Sequence, residues 1–276
     1  MPPRTKRRLG QHFLSDPSIL GRIADAVMSA PNDTILEIGP GPGGLTAALV
    51  ARLRGAGRVI AIEKDRDLVP ALRARVPQAT IIEGDALDLD WHEIARAPAG
   101  PSAYKVTGNI PYNITSPLLD KALLPPRPAV IVFLVQKEVA DRVAAAPGTS
   151  AYGALTVGIQ AVADVKRLFT VSAGAFQPKP KVDSTVLRLT PTDTPLVPDI
   201  ERESFRRLVV GLFGFRRKQL RRGLRELTGA DPACITALLR DADLDPGARP
   251  EVLSPAEFAR LHRVASPLVD GTMREG

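Results

Sequence analysis

From residue 34 onward the chain alternates short apolar runs with amphipathic stretches, and that alternation restricts the fold more than any other feature. Thr34–Ile38, Arg58–Ile62, Ala79–Ile82, Tyr104–Thr107 and Ala129–Val135 read as five successive strands. Leu45–Leu53, Leu68–Val76, Ser116–Leu124 and Lys137–Ala145 carry helical spacing between or after them. Strand–helix alternation of this kind calls for a mostly parallel sheet covered on both faces, an α/β fold. Val165–Val171 and Ser184–Leu189 are expected to add an antiparallel hairpin at its edge. The proline-rich stretch Pro191, Pro195 and Pro198 then gives way to helical pattern up to the end. Asp199, Asp231 and Ser254 are expected N-caps there, with Pro232 and Pro255 at first helical positions. These features predict two domains, 1–195 with the sheet and 196–276 small and all-α.

Charge is unevenly spread. The chain carries a formal +7, but residues 1–8 alone hold +4 (Arg4, Lys6, Arg7, Arg8) and residues 202–225 hold +8, leaving the remainder at −5. Two concentrated basic segments on a mildly acidic body suit a polyanion, with a solvated arginine-rich helix surface as the alternative. Drawn as one helix, residues 205–225 place Arg206, Arg207, Arg217, Lys218, Arg221 and Arg225 on one side, and Phe205, Leu208, Leu212, Phe213 and Leu220 on the other. Gly211 and Gly214 are positions where that helix could break. The single Cys234 forms no intramolecular disulfide, and the longest apolar run has strand length, so a cytoplasmic protein is expected. The scattered His12, His92 and His262 offer no metal-ligand cluster.

Residues expected at the carboxyl ends of the strands carry the chemistry. Gly39, Gly41, Gly43 and Gly44 follow the first strand, where glycine lets the backbone turn and approach a ligand. Gly39, Gly41 and Gly44 also satisfy the spacing of a dinucleotide fingerprint, which leaves a nicotinamide dehydrogenase as one reading. Glu63 ends the second strand, placed for ribose hydroxyls, and Asp85 follows the third, placed for an adenine amino group. Taken singly, each carboxylate reads as a solvated strand terminus. After the fourth strand comes Asn109-Ile110-Pro111-Tyr112. An Asn amide oxygen and the carbonyls of Ile110 and Pro111 are acceptors for an exocyclic amine, and a Tyr face stacks on its ring. The plain alternative is an Asn-x-Pro turn.

The combination resembles the amino-group-modifying class of S-adenosylmethionine-dependent methyltransferases, with a Rossmann-like domain. The segments Leu9-Gly10-Gln11-His12-Phe13-Leu14, Phe133–Arg142, Phe176–Ser184 and Arg216–Arg221 sharpen this. They are similar to motifs of the rRNA adenine N6-dimethyltransferases, in particular the bacterial small-subunit branch linked to kasugamycin sensitivity. The resemblance implies that His12 and Leu14 close over the cofactor, with His12 standing where many relatives have Asn. It implies that Gly39 meets the methionine part of S-adenosylmethionine, Glu63 the ribose and Asp85 the adenine. Asn109 would serve both the cofactor and the reaction centre, with Ile110, Pro111 and Tyr112. Phe176 is implied as a second stacking ring, with ordinary core as the alternative. Arg216, Arg217, Lys218, Arg221 and Arg222 are implied as phosphate contacts. The implied substrate is a pair of adjacent adenosines in the 3′ hairpin of small-subunit rRNA, each dimethylated at N6 within the 30S subunit or its precursor. A monomer, no metal and no membrane are the accompanying expectations. A resistance-type enzyme acting on large-subunit rRNA, or an assembly factor whose methylation is incidental, are the competing functions.

Overall fold

A computed structural model describes residues 11–27, 30, 32–96 and 104–271. The basic N-terminal arm carrying Arg4, Lys6, Arg7 and Arg8 lies outside them. The elements, in chain order, begin with β1 (Phe13–Leu14), α1 (Pro17–Ala26), β2 (Thr34–Ile38), α2 (Gly44–Leu53), β3 (Arg58–Glu63), α3 (Val69–Arg75) and β4 (Thr80–Glu83). They continue through α4 (Trp91–Ala95), β5 (Lys105–Asn109), α5 (Thr115–Ala122), β6 (Val130–Gln136), α6 (Lys137–Val143), α7 (Ala154–Gln160), β7 (Ala163–Val171), β8 (Phe176–Gln177) and β9 (Ser184–Pro191). The helices α8 (Arg202–Gly214), α9 (Leu220–Thr228), α10 (Pro232–Asp241) and α11 (Pro255–Gly271) complete the chain.

Seven strands form one sheet in the order β4-β3-β2-β5-β6-β9-β7. The β4-β3-β2-β5-β6 part is parallel, and β9 lies antiparallel to β6 with Phe133 opposite Leu187. The expected edge hairpin is thus rearranged, because β9 inserts between β6 and β7. The chain winds from β2 outward to β4, then returns to β5 on the other side of β2. That reversal opens a crevice beyond the carboxyl ends of β2 and β5, where open α/β sheets bind ligands.

Apolar strands account for the sheet's interior position. All five residues of β2 and the first six of β6 are buried, and burying one such aliphatic side chain fully is worth about 1.5–3 kcal/mol. One layer of the core joins Ile35, Val59, Val132, Leu134 and Val186 to Leu20 and Ile23 of α1 and Leu45 and Leu49 of α2. The helix α1 was not anticipated from its apolar spacing, yet it carries a complete start signal. Asp16 accepts from Ser18 N at 2.8 Å and Ile19 N at 3.2 Å, with Pro17 at the first helical position.

The chain divides into two compact units. The first holds residues 1–140 and 165–191, and the second holds 141–164 and 192–276. Relative to a single cut at 195, residues 141–164 group with the helices, because Tyr152 Oη donates to the Leu253 carbonyl and Arg216 donates to the carbonyls of Thr149 and Ser150. Within the second unit Asp231 caps α10 through Ala233 N and Cys234 N, and Ser254 caps α11 in a reciprocal box with Glu257. Asp199 instead begins a single 3₁₀ turn, and α8 starts behind Glu201 without a side-chain cap.

Candidate active site

The crevice at the carboxyl ends of β2–β5 contains a cavity of about 140 Å³. Gly39, Gly41, Glu63, Asp85, Asn109, Ile110, Pro111, Tyr112 and His12 all line it. Residues separated by up to a hundred positions are brought to one wall because parallel strands end side by side. Three glycines make that approach possible. Gly39 and Gly41 have φ of +67° and +56°, the left-handed region that suits glycine. A Cβ at Gly108 would lie 2.4 Å from the Ile38 carbonyl oxygen, so β5 reaches Asn109 in register only with glycine there.

Each polar side chain has a defined hold. Glu63 Oε2 accepts from Gly41 N at 3.0 Å, and Oε1 accepts from Asp65 N at 2.7 Å. Burial raises the Glu63 carboxyl above its ordinary range, while these backbone donors pull the other way. Asp85 accepts from Leu87 N at 3.0 Å and pairs with the Lys64 ammonium. Burial pushes against its ionisation, but the Lys64 and Leu87 hydrogen bonds prevail and its carboxyl lies below the usual range. Gln11, also at the cavity, donates from Nε2 to Asp65 at 3.0 Å.

Asn109 donates its Nδ2 to the His12 carbonyl at 2.7 Å, which leaves its amide oxygen as the free end. Ile110 is buried and its N–H donates to the Leu134 carbonyl at 3.0 Å. The Pro111 carbonyl, expected as an open acceptor, is taken by Ile114 N at 3.2 Å and the Thr115 hydroxyl at 3.3 Å. Of the two proline-flanking carbonyls, Ile110 is therefore the better candidate acceptor. Tyr112 shares a 3.0 Å hydrogen bond between its hydroxyl and Ser184 Oγ, and burial raises its phenol above the ordinary range.

Not every implied residue is gathered here. Leu14 is packed in the core, paired across the two-stranded β1–β8 sheet with Phe176, which is only 5% exposed among aliphatic side chains. Glu37, near the end of β2, is 1% exposed and does not line the cavity; its Oε2 has no hydrogen-bond partner. Lys64, Gln11 and Ser184 were not singled out by sequence reading. Their partners Asp85, Asp65 and Tyr112 lie in segments that follow other strands, so no local signal reveals the contacts.

The basic segment belongs to the second unit and is not one helix. The helix α8 ends at Gly214, residues 215–219 turn, and α9 begins at Leu220, so the one-sided drawing across 205–225 does not hold. Gly211 is no break; it lets α8 pack against Leu227, whose Cδ1 a Cβ would meet at 2.6 Å. Arg217, Arg221 and Arg222 are exposed. Arg216 is engaged internally, donating to Glu251 at 2.7 Å and to the carbonyls of Thr149 and Ser150. Lys218 pairs with Glu226 at 3.3 Å and sits over the Phe215 ring.

The profile of the family described as Ribosomal RNA adenine dimethylase matches residues 3–262. The chain is 43% identical over 262 residues to the Ribosomal RNA small subunit methyltransferase A of Acidithiobacillus ferrooxidans, covering 94% of each. It is 40% identical over 273 residues to the protein of that name from Myxococcus xanthus, covering 98% of this chain and 94% of the relative. The chain belongs to the ribosomal RNA adenine dimethylase family. Among solved structures, a dimethyladenosine transferase from Plasmodium falciparum superposes with a TM-score of 0.79 at 26% identity, over 93% of this chain and 98% of the other. The 23S rRNA methyltransferase ErmE superposes with a TM-score of 0.68 at 28% identity, over 91% and 98%. Family membership makes the chain an rRNA methyltransferase on a Rossmann-like, mostly parallel sheet, as the motifs implied. A nicotinamide dehydrogenase is thereby set aside.

Proposed function

We propose that this protein dimethylates the N6 amino groups of two adjacent adenosines in the 3′-terminal hairpin loop of small-subunit rRNA, using S-adenosylmethionine. It acts as a cytoplasmic monomer on the 30S subunit or its precursor. The observation that carries the reading is the Asn109 amide, whose nitrogen is committed to the His12 carbonyl, on a cavity that Tyr112 also lines.

The cavity fits the cofactor. Glu63 is held by two backbone donors yet keeps lone pairs for ribose hydroxyls, Asp85 offers an acceptor to an adenine amino group, and Gly39 admits close approach. His12 lines the same wall. When bound, S-adenosylmethionine supplies an electrophilic methyl group.

The protein's task is to present a poor nucleophile well. The adenine N6 lone pair is delocalised into the ring. Hydrogen bonds from N6 to Asn109 Oδ1 and to the Ile110 carbonyl favour a more tetrahedral nitrogen and hold its lone pair in line. Tyr112 stacks on the base, which must leave its own stack to enter. On accepting the methyl group N6 would be cationic and would give its proton to water. A second round follows on the monomethylated amine, whose one remaining N–H donates to only one of the two acceptors. Arg217, Lys218, Arg221 and Arg222, with the arm at Arg4–Arg8, hold rRNA phosphates, which position the RNA and carry no sequence information.

The test is incubation with radiolabelled S-adenosylmethionine and under-methylated small subunits, followed by nucleoside analysis. N6,N6-dimethyladenosine from the 3′ hairpin is the expected product. Label confined to large-subunit RNA would overturn the substrate assignment in favour of a resistance-type activity. RNA binding with no label in either subunit would favour an assembly factor.

A further inference from the structure

One residue holds both halves of the proposed base-binding wall. The His12 carbonyl accepts from Asn109 Nδ2 at 2.7 Å, and the His12 imidazole lies against the Tyr112 ring with centroids 5.4 Å apart and planes 27° apart. Its Nδ1 is 2.7 Å from the Pro178 carbonyl oxygen. A carbonyl only accepts, so Nδ1 carries the hydrogen. Phe13 pairs with Gln177 and Leu14 with Phe176, so this side-chain bond extends the β1–β8 ladder by one position. The far end of Tyr112 is tied to Ser184, which is fully buried in β9. The Tyr112 ring is thus fixed at its hydroxyl by one strand and along its face by a ring that is itself anchored.

We propose that His12 is a positioning residue for methyl transfer, its anchored imidazole presetting the plane of Tyr112 on which the target base is captured. The inference rests on the proposed adenosine methylation. Without the imidazole, the Tyr112 ring has to be ordered each time a base enters. Ring pairs of this kind contribute roughly three- to tenfold to an equilibrium. The RNA is held by phosphate contacts of the two basic segments and the cofactor by the ends of β2–β4, so the deficit falls on the step after both have bound.

The experiment compares wild type, His12→Ala and His12→Phe on under-methylated small subunits, with kcat, KM for the subunit and cofactor Kd measured for each. His12→Ala is expected to lower kcat about three- to tenfold while KM and Kd stay within about twofold. His12→Phe, which keeps a ring but loses the Nδ1 donor, is expected to recover most of the lost kcat. An unchanged kcat in His12→Ala overturns the proposal. So does a deficit appearing as weaker cofactor binding, which would make His12 a cofactor contact, or a Phe variant as slow as Ala. If His12→Ala melts below the assay temperature, His12→Asn removes the ring in its place. Wild-type protein that labels no small-subunit RNA defeats the parent reading before any variant is compared.

Discussion

Glu37→Gln is expected to make the protein's stability less dependent on pH, by an amount that follows from where Glu37 sits. The residue is 1% exposed, and its Oε2 has no hydrogen-bond partner. Burial pushes the carboxyl from 4.5 up to about 8; Thr46 pulls it down and the Glu63 carboxyl pushes it further up. Between those two values the folded chain holds a proton that the unfolded chain has released. Folding therefore takes up a proton, and stability falls as pH rises through this window. The cost is absent below about 4.5 and complete above about 8. At ~1.36 kcal/mol per pH unit it amounts to about 3 kcal/mol at pH 7 and about 5 kcal/mol at its limit. Gln cannot titrate. The unfolding free energies of the two chains should diverge by about 3–4 kcal/mol between pH 5 and 8, with the Gln chain gaining. For a chain of this size that is a Tm divergence of roughly 6–16 °C. Glu63 is common to both chains, and the extra amide donor of Gln shifts one curve by a constant. Urea unfolding without cofactor at pH 5, 6, 7 and 8 measures the effect. Parallel curves would refute the assignment of Glu37 as a buried neutral acid.

Asn109→Ala should lower the rate of methyl transfer by about 10²–10³-fold, the usual cost of removing one well-placed polar group at a reaction centre. RNA affinity, read by filter binding, should stay within a few-fold; normal turnover would remove Asn109 from the proposed role. Replacing Arg217, Lys218 and Arg221 together should weaken RNA binding and flatten the plot of log K against log salt by about 2, at ~0.7 per single-strand phosphate contact. An unchanged slope would take that segment out of the interface.

The sheet was legible in the sequence because parallel strands buried on both faces are nearly continuous apolar runs, as in Ile131–Val135. The N-terminal helix α1 was less legible from periodicity, although Asp16-Pro17 announces its start. Strand order was partly hidden. Nothing in residues 163–191 says that β9 will lie between β6 and β7, since that choice is made by burial against Phe133 and Leu134 rather than by local pattern. The candidate site was legible at the strand ends, where type and position coincide, as at Glu63, Asp85 and Asn109. It was illegible wherever a partner comes from a distant segment. Arg216 reads like its neighbours in sequence, yet Glu251 and the carbonyls at 149 and 150 claim it.

The same distinction changes how the charge of the site is counted. Glu37, Glu63 and Asp85 stand at three successive strand ends, and the sequence alone suggests three negative charges awaiting a cationic sulfonium. The structure treats each differently. Glu37 is driven to its neutral form by burial. Asp85 stays ionised but is balanced by Lys64, which lies one position after Glu63, just past the end of β3. Glu63, supported by two backbone N–H groups but raised by burial, is left as the carboxylate whose charge answers most directly to what enters the cavity. From these three side chains a cation approaching the wall therefore meets less negative charge than their number suggests, which leaves hydrogen bonds and shape more of the selection.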